Sequence, residues 1–431
     1  MHISQLLLDS IPPIRLNYIT ISLATSSHSS AAPSSVSIRS CAKANNQSST
    51  MSLRVAVIGA GAAGLAAARE LRSEGHVPVV FERAGEVGGT WIYDDAAGEE
   101  AANSTSLYAS LRTNLPREVM GFLDFPFAAV PDSVDPRRFP AHQEVLRYIQ
   151  DYARRFELHQ HLRLRTQVLS VTRRHSSCWS VRWRMEETHE DEEEEETFDA
   201  VVVCNGHYTE PRIADDIPGL KDAWPGKQMH SHSYRVPDPF VGQVVVIIGA
   251  KNSGGDISRD IAAVAKEVHM VDRAAPANTC RSPSRLSKPL APIHAHQIER
   301  QVERAEEDGS VVFRDGTSVK ADIIMHCTGY KYSFPFLGDD STITIHDNRI
   351  HPLYKHVFPP QVSPSSDCRS RQFEYDDWLA EQSGHAKVEE WRKQMYDQVG
   401  LKKKDCPETY RDEWDDHDLL EQANQDFQKY L

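Results

Sequence analysis

A strand that runs directly into a glycine-spaced turn and then a helix leaves few folds open, and this chain has such a passage at Gly59-Ala60-Gly61-Ala62-Ala63-Gly64. The apolar run Val55–Ile58 precedes it. The alanine-rich stretch Gly61–Ser73 reads as a helix and Val77–Phe81 as a second strand, so the passage predicts one βαβ unit. In such a unit the first glycine permits the tight turn, the second lets backbone approach a pyrophosphate, and the third lets helix and strand pack closely. The helix N-terminus then offers free N–H groups and positive potential to the phosphates. Glu82 falls at the end of the second strand, where its carboxylate can accept hydrogen bonds from ribose hydroxyls. Gly59, Ala60, Gly61, Ala62, Ala63, Gly64 and Glu82 are therefore expected to bind a dinucleotide. Shortly afterwards Glu86-Val87-Gly88-Gly89-Thr90-Trp91 places two further glycines in a loop near the same phosphates.

A second unit follows. Val244–Ile248 and Val268–Val271 read as strands around a helix at Gly255–Lys266, with a further strand at Ile323–His326. The joining turn is Gly249-Ala250-Lys251-Asn252-Ser253-Gly254-Gly255-Asp256. Lys251 stands where the second glycine is expected. A side chain there hinders close backbone approach, but an ammonium can contact a phosphate directly. Arg273 comes after the second strand, where a guanidinium pairs with the 2′-phosphate of NADP, while Asp272 beside it suits the 2′-hydroxyl of NAD. Both preferences stay open. The chain thus predicts an α/β protein with two dinucleotide-binding, Rossmann-like units.

Charge and cysteine usage exclude other classes. The 431 residues carry a formal net charge of -14, which argues against a nucleic-acid partner held by a positive field. Nine carboxylates between Glu186 and Glu196 account for much of that charge, and the run reads as a solvated loop. The seven cysteines form no C-x-x-C pair, which excludes a dithiol redox motif, a zinc ribbon and a disulfide scaffold. No apolar stretch approaches the ~20 residues of a membrane span.

The first fifty residues hold thirteen serines, no glycine and one acid, Asp9, a composition that contributes little to a packed core. It suits either a transit peptide or an over-extended start ahead of Met51. A cytoplasmic location is expected, with the chloroplast as the alternative if residues 1–50 are a transit peptide.

Between the two units lies Trp224-Pro225-Gly226-Lys227-Gln228-Met229-His230-Ser231-His232-Ser233-Tyr234-Arg235. His230 and His232 have no third ligand near in sequence, so no metal is expected. Trp224, Gly226, His230 and Tyr234 match the pattern aromatic-x-G-x-x-x-H-x-x-x-[YF] that identifies flavin-containing monooxygenases. The Gly-Gly-Thr-Trp segment also resembles that of flavoproteins of the glutathione-reductase-like superfamily. With Ser106–Phe127, Val203–Arg212 and Gly226–Arg235, the chain resembles the flavin-containing monooxygenases, most closely their plant S-oxygenating, glucosinolate S-oxygenase-like branch. The likeness spans about Met51–Pro360 and resumes at Phe373.

The resemblance implies an FAD domain at 51–213 and 322–431 with an NADP domain, 214–321, inserted. It also implies that NADPH reduces FAD, that O2 adds at the flavin C4a, and that the hydroperoxide oxygenates a small sulfide or amine. Asn114 matches the active-site asparagine of the family. Gly89, Thr90, Trp91 and Thr328, within Cys327-Thr328-Gly329-Tyr330, are implied beside FAD. Gly249, Ala250, Lys251, Asn252, Ser253, Gly254 and Arg273 are implied beside NADP(H). Cys327 itself reads as a small packed residue. After Pro360 the family continues with an apolar strand and helix, whereas Gln361–Arg371 is polar, and roughly sixty residues are absent relative to the resemblance, more than a domain loses harmlessly. A catalytically weakened dinucleotide-binding remnant is therefore the second reading. A ketone-oxidising relative is disfavoured by Tyr234, where such enzymes carry tryptophan.

Overall fold

The computed structural model describes residues 19–21, 52–95, 105–174, 178–185, 193–271, 301–338, 344–346, 348–351, 373–374, 376–378, 380–381 and 386–430. Ile19–Ile21 (β1) is a short strand. Arg54–Ile58 (β2), the helix Ala62–Ser73 (α1) and Val77–Phe81 (β3) form the first βαβ unit. The short helix Arg117–Met120 (α2) and the amphipathic helix His142–Arg155 (α3) lead to Leu162–Arg163 (β4). Thr166–Arg173 (β5), Trp179–Met185 (β6) and Glu194–Phe198 (β7) form an antiparallel meander, and the chain re-enters the first sheet as Ala200–Val203 (β8). The order in that sheet is β1-β8-β2-β3-β4, parallel except for β1. Three of the first fifty residues, expected to add little to the fold, thus supply its edge strand.

Glu210–Pro211 (β9) leads out of this sheet to Lys227–His230 (β10), Val244–Ile248 (β11), the helix Asn252–Ala262 (α4) and Glu267–Val271 (β12). An antiparallel trio, Val302–Ala305 (β13), Ser310–Phe313 (β14) and Ser318–Lys320 (β15), precedes Ile323–His326 (β16). The second sheet is wholly parallel, in the order β10-β16-β11-β12. Tyr330–Lys331 (β17) pairs with β9 as the chain returns. Because β16 lies inside the second sheet, we place the return to the first unit at residues 327–331 rather than at Asp322. A hairpin, Thr344–His346 (β18) with Arg349–His351 (β19), and two helices, Glu390–Asp405 (α5) and His417–Phe427 (α6), complete the described fold. The polar stretch Gln361–Arg371 lies outside the described residues.

Parallel strands covered on both faces read as unbroken apolar runs, and both central strands do so. Val55 and Val57 of β2 face a core with α1, α3 and the C-terminal Trp391, Met395 and Phe427, whereas Ala56 and Ile58 face Trp179, Val181 and Phe198 of the meander. Val245 and Ile247 of β11 pack on Ile257 and Ile261 of α4, and Val246 and Ile248 on Val311 and Phe313. Arg392 of α5, 2% exposed, donates to the Glu118, Val119 and Gly121 carbonyls at the end of α2. Those last-turn carbonyls would otherwise lack partners. This locks the C-terminal helices onto the first unit.

The acidic run corrects one expectation. Its end is the strand β7, in which Glu196 bridges Arg54 and Arg163, Glu195 pairs with Arg174, and Glu193 just before it pairs with Arg182 at 3.2 Å. Arginines from four separate places pair with these carboxylates, and Glu194–Phe198 lies against β6 as a strand; residues 186–192 lie outside the described residues. A second correction concerns α4, which begins at Asn252 and ends at Ala262 rather than spanning Gly255–Lys266. Its two glycines fall in the first turn because Gly254 must pass close to the strand end.

Candidate functional site

Each glycine turn sits at the point where its sheet reverses order. β2 lies between β3 and β8, and β11 lies between β12 and β16, so each turn opens into the crevice where such sheets bind ligands. The construction repeats. Gly59 (φ 105°) and Gly249 (φ 111°) adopt backbone that disfavours other residues. A Cβ on either would lie 2.4 Å from a strand-end carbonyl oxygen, that of Cys204 for the first and Cys327 for the second. A Cβ on Gly64 would lie 1.8 Å from the Gly59 oxygen, and one on Gly254 lies 1.9 Å from that of Gly249.

The middle position differs for a visible reason. Gly61 has an ordinary φ of -75° and faces the backbone of Gly89, at φ 57°, whose own Cβ would lie 2.8 Å from the Gly61 Cα. The turn Gly89–Trp91 folds onto the fingerprint, with Gly88 N–H donating to Ala60 O at 3.1 Å. Lys251 has a φ of -84°, is exposed, and stands immediately before α4 without a side-chain capping hydrogen bond. Its side chain therefore does not obstruct the turn itself.

Glu82 is buried, its carboxylate accepting from Ala60 N–H at 2.6 Å and Ala84 N–H at 2.8 Å. Each oxygen keeps a second acceptor site for a hydroxyl. Ala62, Ala63 and Trp91 are half-buried and Thr90 is exposed around the same turn. Ala250, Asn252 and Ser253 are half-buried at the second turn, where Lys403 Nζ of α5 donates to Asn252 Oδ1. Arg273 and Asp272 lie outside the described residues.

Asn114 sits on a segment that spans the two units. Tyr108 packs in the core beneath α4 with Tyr234 and Ile257, while Leu115 packs in the first core with Ala60 and Val119. Half-buried Asn114 is flanked by Thr113 and Leu115, each 3% exposed. Thr113 N–H donates to Pro140 O at 2.9 Å, and Thr113 O accepts from Arg411 Nε at 2.9 Å. The amide is thus carried on a doubly anchored backbone.

The histidine-containing segment is a brace. The Gly226 backbone lies under the Trp224 indole, where a Cβ would come within 2.2 Å of the ring. His230 Nδ1 accepts from His232 N–H at 3.0 Å, so Nε2 carries the proton and donates to Gly329 O at 3.0 Å. Burial pushes this imidazole down to about 3, and with both nitrogens engaged it has no lone pair for a metal. Tyr234 O–H donates to Asp260 of α4. Arg235 donates to the Asp94 and Thr105 carbonyls, both at 2.8 Å, tying the brace to the loop after Trp91.

Thr328 lies at the return crossing, where its hydroxyl donates to Arg212 O and its carbonyl accepts from Arg212 Nε at 2.9 Å. Burial pushes the thiols of Cys204 and Cys327 up to about 12, so both are packed, protonated groups. Arg212, Arg235, Asp256, Asp260 and Arg411 were not singled out from the sequence. Most of their partners lie more than a hundred residues away along the chain, so no local signal in the sequence marks them.

Two Rossmann-like units with matching glycine turns, joined by a brace and an asparagine-bearing segment, define a two-dinucleotide flavoprotein class. The chain belongs to the flavin-binding monooxygenase-like family, whose pattern it matches over residues 52–282 and 293–366. It is therefore a monooxygenase, an oxidoreductase. It is 46% identical to flavin-containing monooxygenase FMO GS-OX-like 4 of Arabidopsis thaliana over 87% of this chain and 97% of that protein. FMO GS-OX3 of the same plant is 43% identical over 89% and 96%. The structure of S-allyl-L-cysteine S-oxygenase from Allium sativum superposes with a TM-score of 0.77 at 43% identity, covering 88% of this chain and 99% of that one. The first alignment runs over 450 positions, more than the 431 residues available, so that relative carries segments with no counterpart here. Among the described residues no helix is long and apolar enough to cross a membrane.

Proposed function

We propose that the chain is an NADPH- and O2-dependent monooxygenase that S- or N-oxygenates small nucleophiles, thioethers foremost. The observation that carries this reading is the placement of Asn114 on a segment anchored both to the first glycine turn's core and to the helix of the second. In this reading FAD lies along Gly59–Gly64 and Gly89–Trp91 with its ribose on Glu82, and NADP(H) lies along Gly249–Gly254. The fit rests on the two helix N-termini that the glycine turns hold against their strand ends, through contacts that a Cβ at Gly59, Gly64, Gly249 or Gly254 would break, and on the spare acceptor sites of Glu82. When bound, FAD takes reducing equivalents from NADPH and supplies the oxygen-transfer chemistry.

The chain's own contribution is positioning and exclusion of water. The Asn114 amide is a hydrogen-bond donor too weakly acidic to release a proton, so it can orient a reacting oxygen without protonating it away as peroxide. Its anchored backbone and the buried Thr113 and Leu115 fix that donor. The 43% identity to a garlic protein described as an S-allyl-L-cysteine S-oxygenase supports a thioether substrate. A second reading, a weakened dinucleotide-binding remnant, is favoured by the alignment that outruns the chain.

An NADPH oxidation assay against a panel of thioethers and amines, with peroxide measured alongside, separates the two. Sulfoxide or N-oxide formed in step with NADPH consumption is the expected result. FAD-loaded protein that consumes no NADPH overturns the first reading, and oxygenated product formed in step with NADPH consumption overturns the second.

A further inference from the structure

We propose that Arg411 is a positioning residue that couples occupancy of the second dinucleotide site to the placement of Asn114; this rests on the functional reading above. Its Nη2 donates to Asp256 Oδ2 of α4 at 2.6 Å and its Nη1 approaches Oδ1 at 3.3 Å. The same guanidinium donates through Nε to Thr113 O at 2.9 Å, the carbonyl of the peptide that continues into Asn114. One planar fork therefore holds the helix of the second glycine turn and the backbone of the proposed active-site amide in a fixed relation. Arg411 and Asp256 side chains are 15% and 16% exposed. Burial alone would raise the Asp256 carboxyl, yet the Arg411 charge holds it below the ordinary range.

Two further contacts run the same way. Tyr108 O–H approaches Asp256 at 3.3 Å, and Ser110 Oγ donates to Asp260 at 2.7 Å, so the segment carrying Asn114 is fastened to α4 along two turns. Lys403 reaches Asn252 at the head of that helix from the same C-terminal region. A ligand that settles on the N-terminus of α4 thus loads a helix whose flank is bonded to the Asn114 segment.

The test uses FAD-loaded full-length protein, wild type and the variants Arg411→Gln, Arg411→Lys and Arg411→Gln/Asp256→Asn. Three quantities are read: peroxide released per NADPH, the dissociation constant for NADP+, and hydrogen exchange of peptides covering 107–116 with and without NADP+. In wild type, NADP+ is expected to slow exchange in 107–116. Arg411→Gln is expected to abolish that protection and raise the peroxide fraction at least fivefold. The double variant removes the unpaired buried charge and is expected to recover thermal stability but not coupling, because Thr113 O still lacks its donor. A lysine can keep the ion pair without reaching Thr113 O at the same time, so Arg411→Lys is expected to bind NADP+ normally yet leak peroxide, and it carries the test if Arg411→Gln does not retain FAD. Wild-type coupling and protection in either single variant, or full recovery of coupling in the double variant, overturns the proposal. Wild-type protein that binds no NADP+ overturns the functional reading and this inference together.

Discussion

The glycine turns are strict at their third position and tolerant at the second position of the second turn. A methyl at Gly64 meets the Gly59 carbonyl oxygen at 1.8 Å, a backbone atom that cannot step aside, whereas position 251 already carries an exposed lysine at an unstrained φ. Gly64→Ala is expected to cost about 3 kcal/mol, the upper part of the range for overpacking. Lys251→Gly is expected to change stability by no more than about 1 kcal/mol, the ordinary cost of glycine's backbone freedom. Urea denaturation of both variants checks the pair, and equal losses would refute the argument. The same scale carries the proposed role of Asn114. Asn114→Ala is expected to leave NADPH oxidation running while hydrogen peroxide replaces oxygenated product; an unchanged product yield removes Asn114 from the site. Glycine spacing and Glu82 were legible in the sequence because their partners are local. The roles of Arg411, Arg235 and Asp260 were not, because each engages a carbonyl or hydroxyl more than a hundred residues away, Thr113 O, Asp94 O and the Ser110 hydroxyl respectively.

Elements that bury apolar side chains on both faces were read correctly from their runs, as β2, β3, β11 and β16 show. The strand β7 was hidden, since Glu194-Glu195-Glu196-Thr197 has neither alternation nor apolar content. What makes it a strand is the pairing with β6 and the arginines opposite, information distributed over the chain. Glu196 bridges Arg54 and Arg163, yet these side chains are 24%, 40% and 31% exposed, so solvent screens the pairs. Glu196→Gln is expected to cost about 1 kcal/mol at low salt and less as salt rises. Denaturant midpoints measured at low and high ionic strength check this. A loss that persists undiminished in high salt would mean that packing, not charge, holds the strand.

At the scale of the whole molecule, the two units are joined by β9 against β17, by the brace from Trp224 to Arg235, and by Arg411 on α4, and two neutral imidazoles are buried beside these joints. His230 donates to Gly329 O, and His326, 0% exposed, accepts from Ala214 N–H at 3.3 Å and contacts Gln228 at 3.1 Å. Burial pushes His230 down to about 3 and His326 down to about 4. The unfolded chain binds these protons near the ordinary histidine value of about 6.5, while the folded chain refuses them until much lower pH. The unfolded state then holds more protons between those limits, so stability is full above about pH 6.5 and falls as pH drops toward 4. Each such histidine costs up to about 1.4 kcal/mol per pH unit in that window. The folded protein is therefore expected to have a lower denaturation midpoint near about pH 5 than near about pH 7, with one or more protons taken up on unfolding. His326→Gln keeps a polar side chain but cannot be charged, so it is expected to remove one proton's share of the slope while lowering stability at neutral pH. A slope unchanged by that substitution would mean that His326 takes up its proton equally in both states.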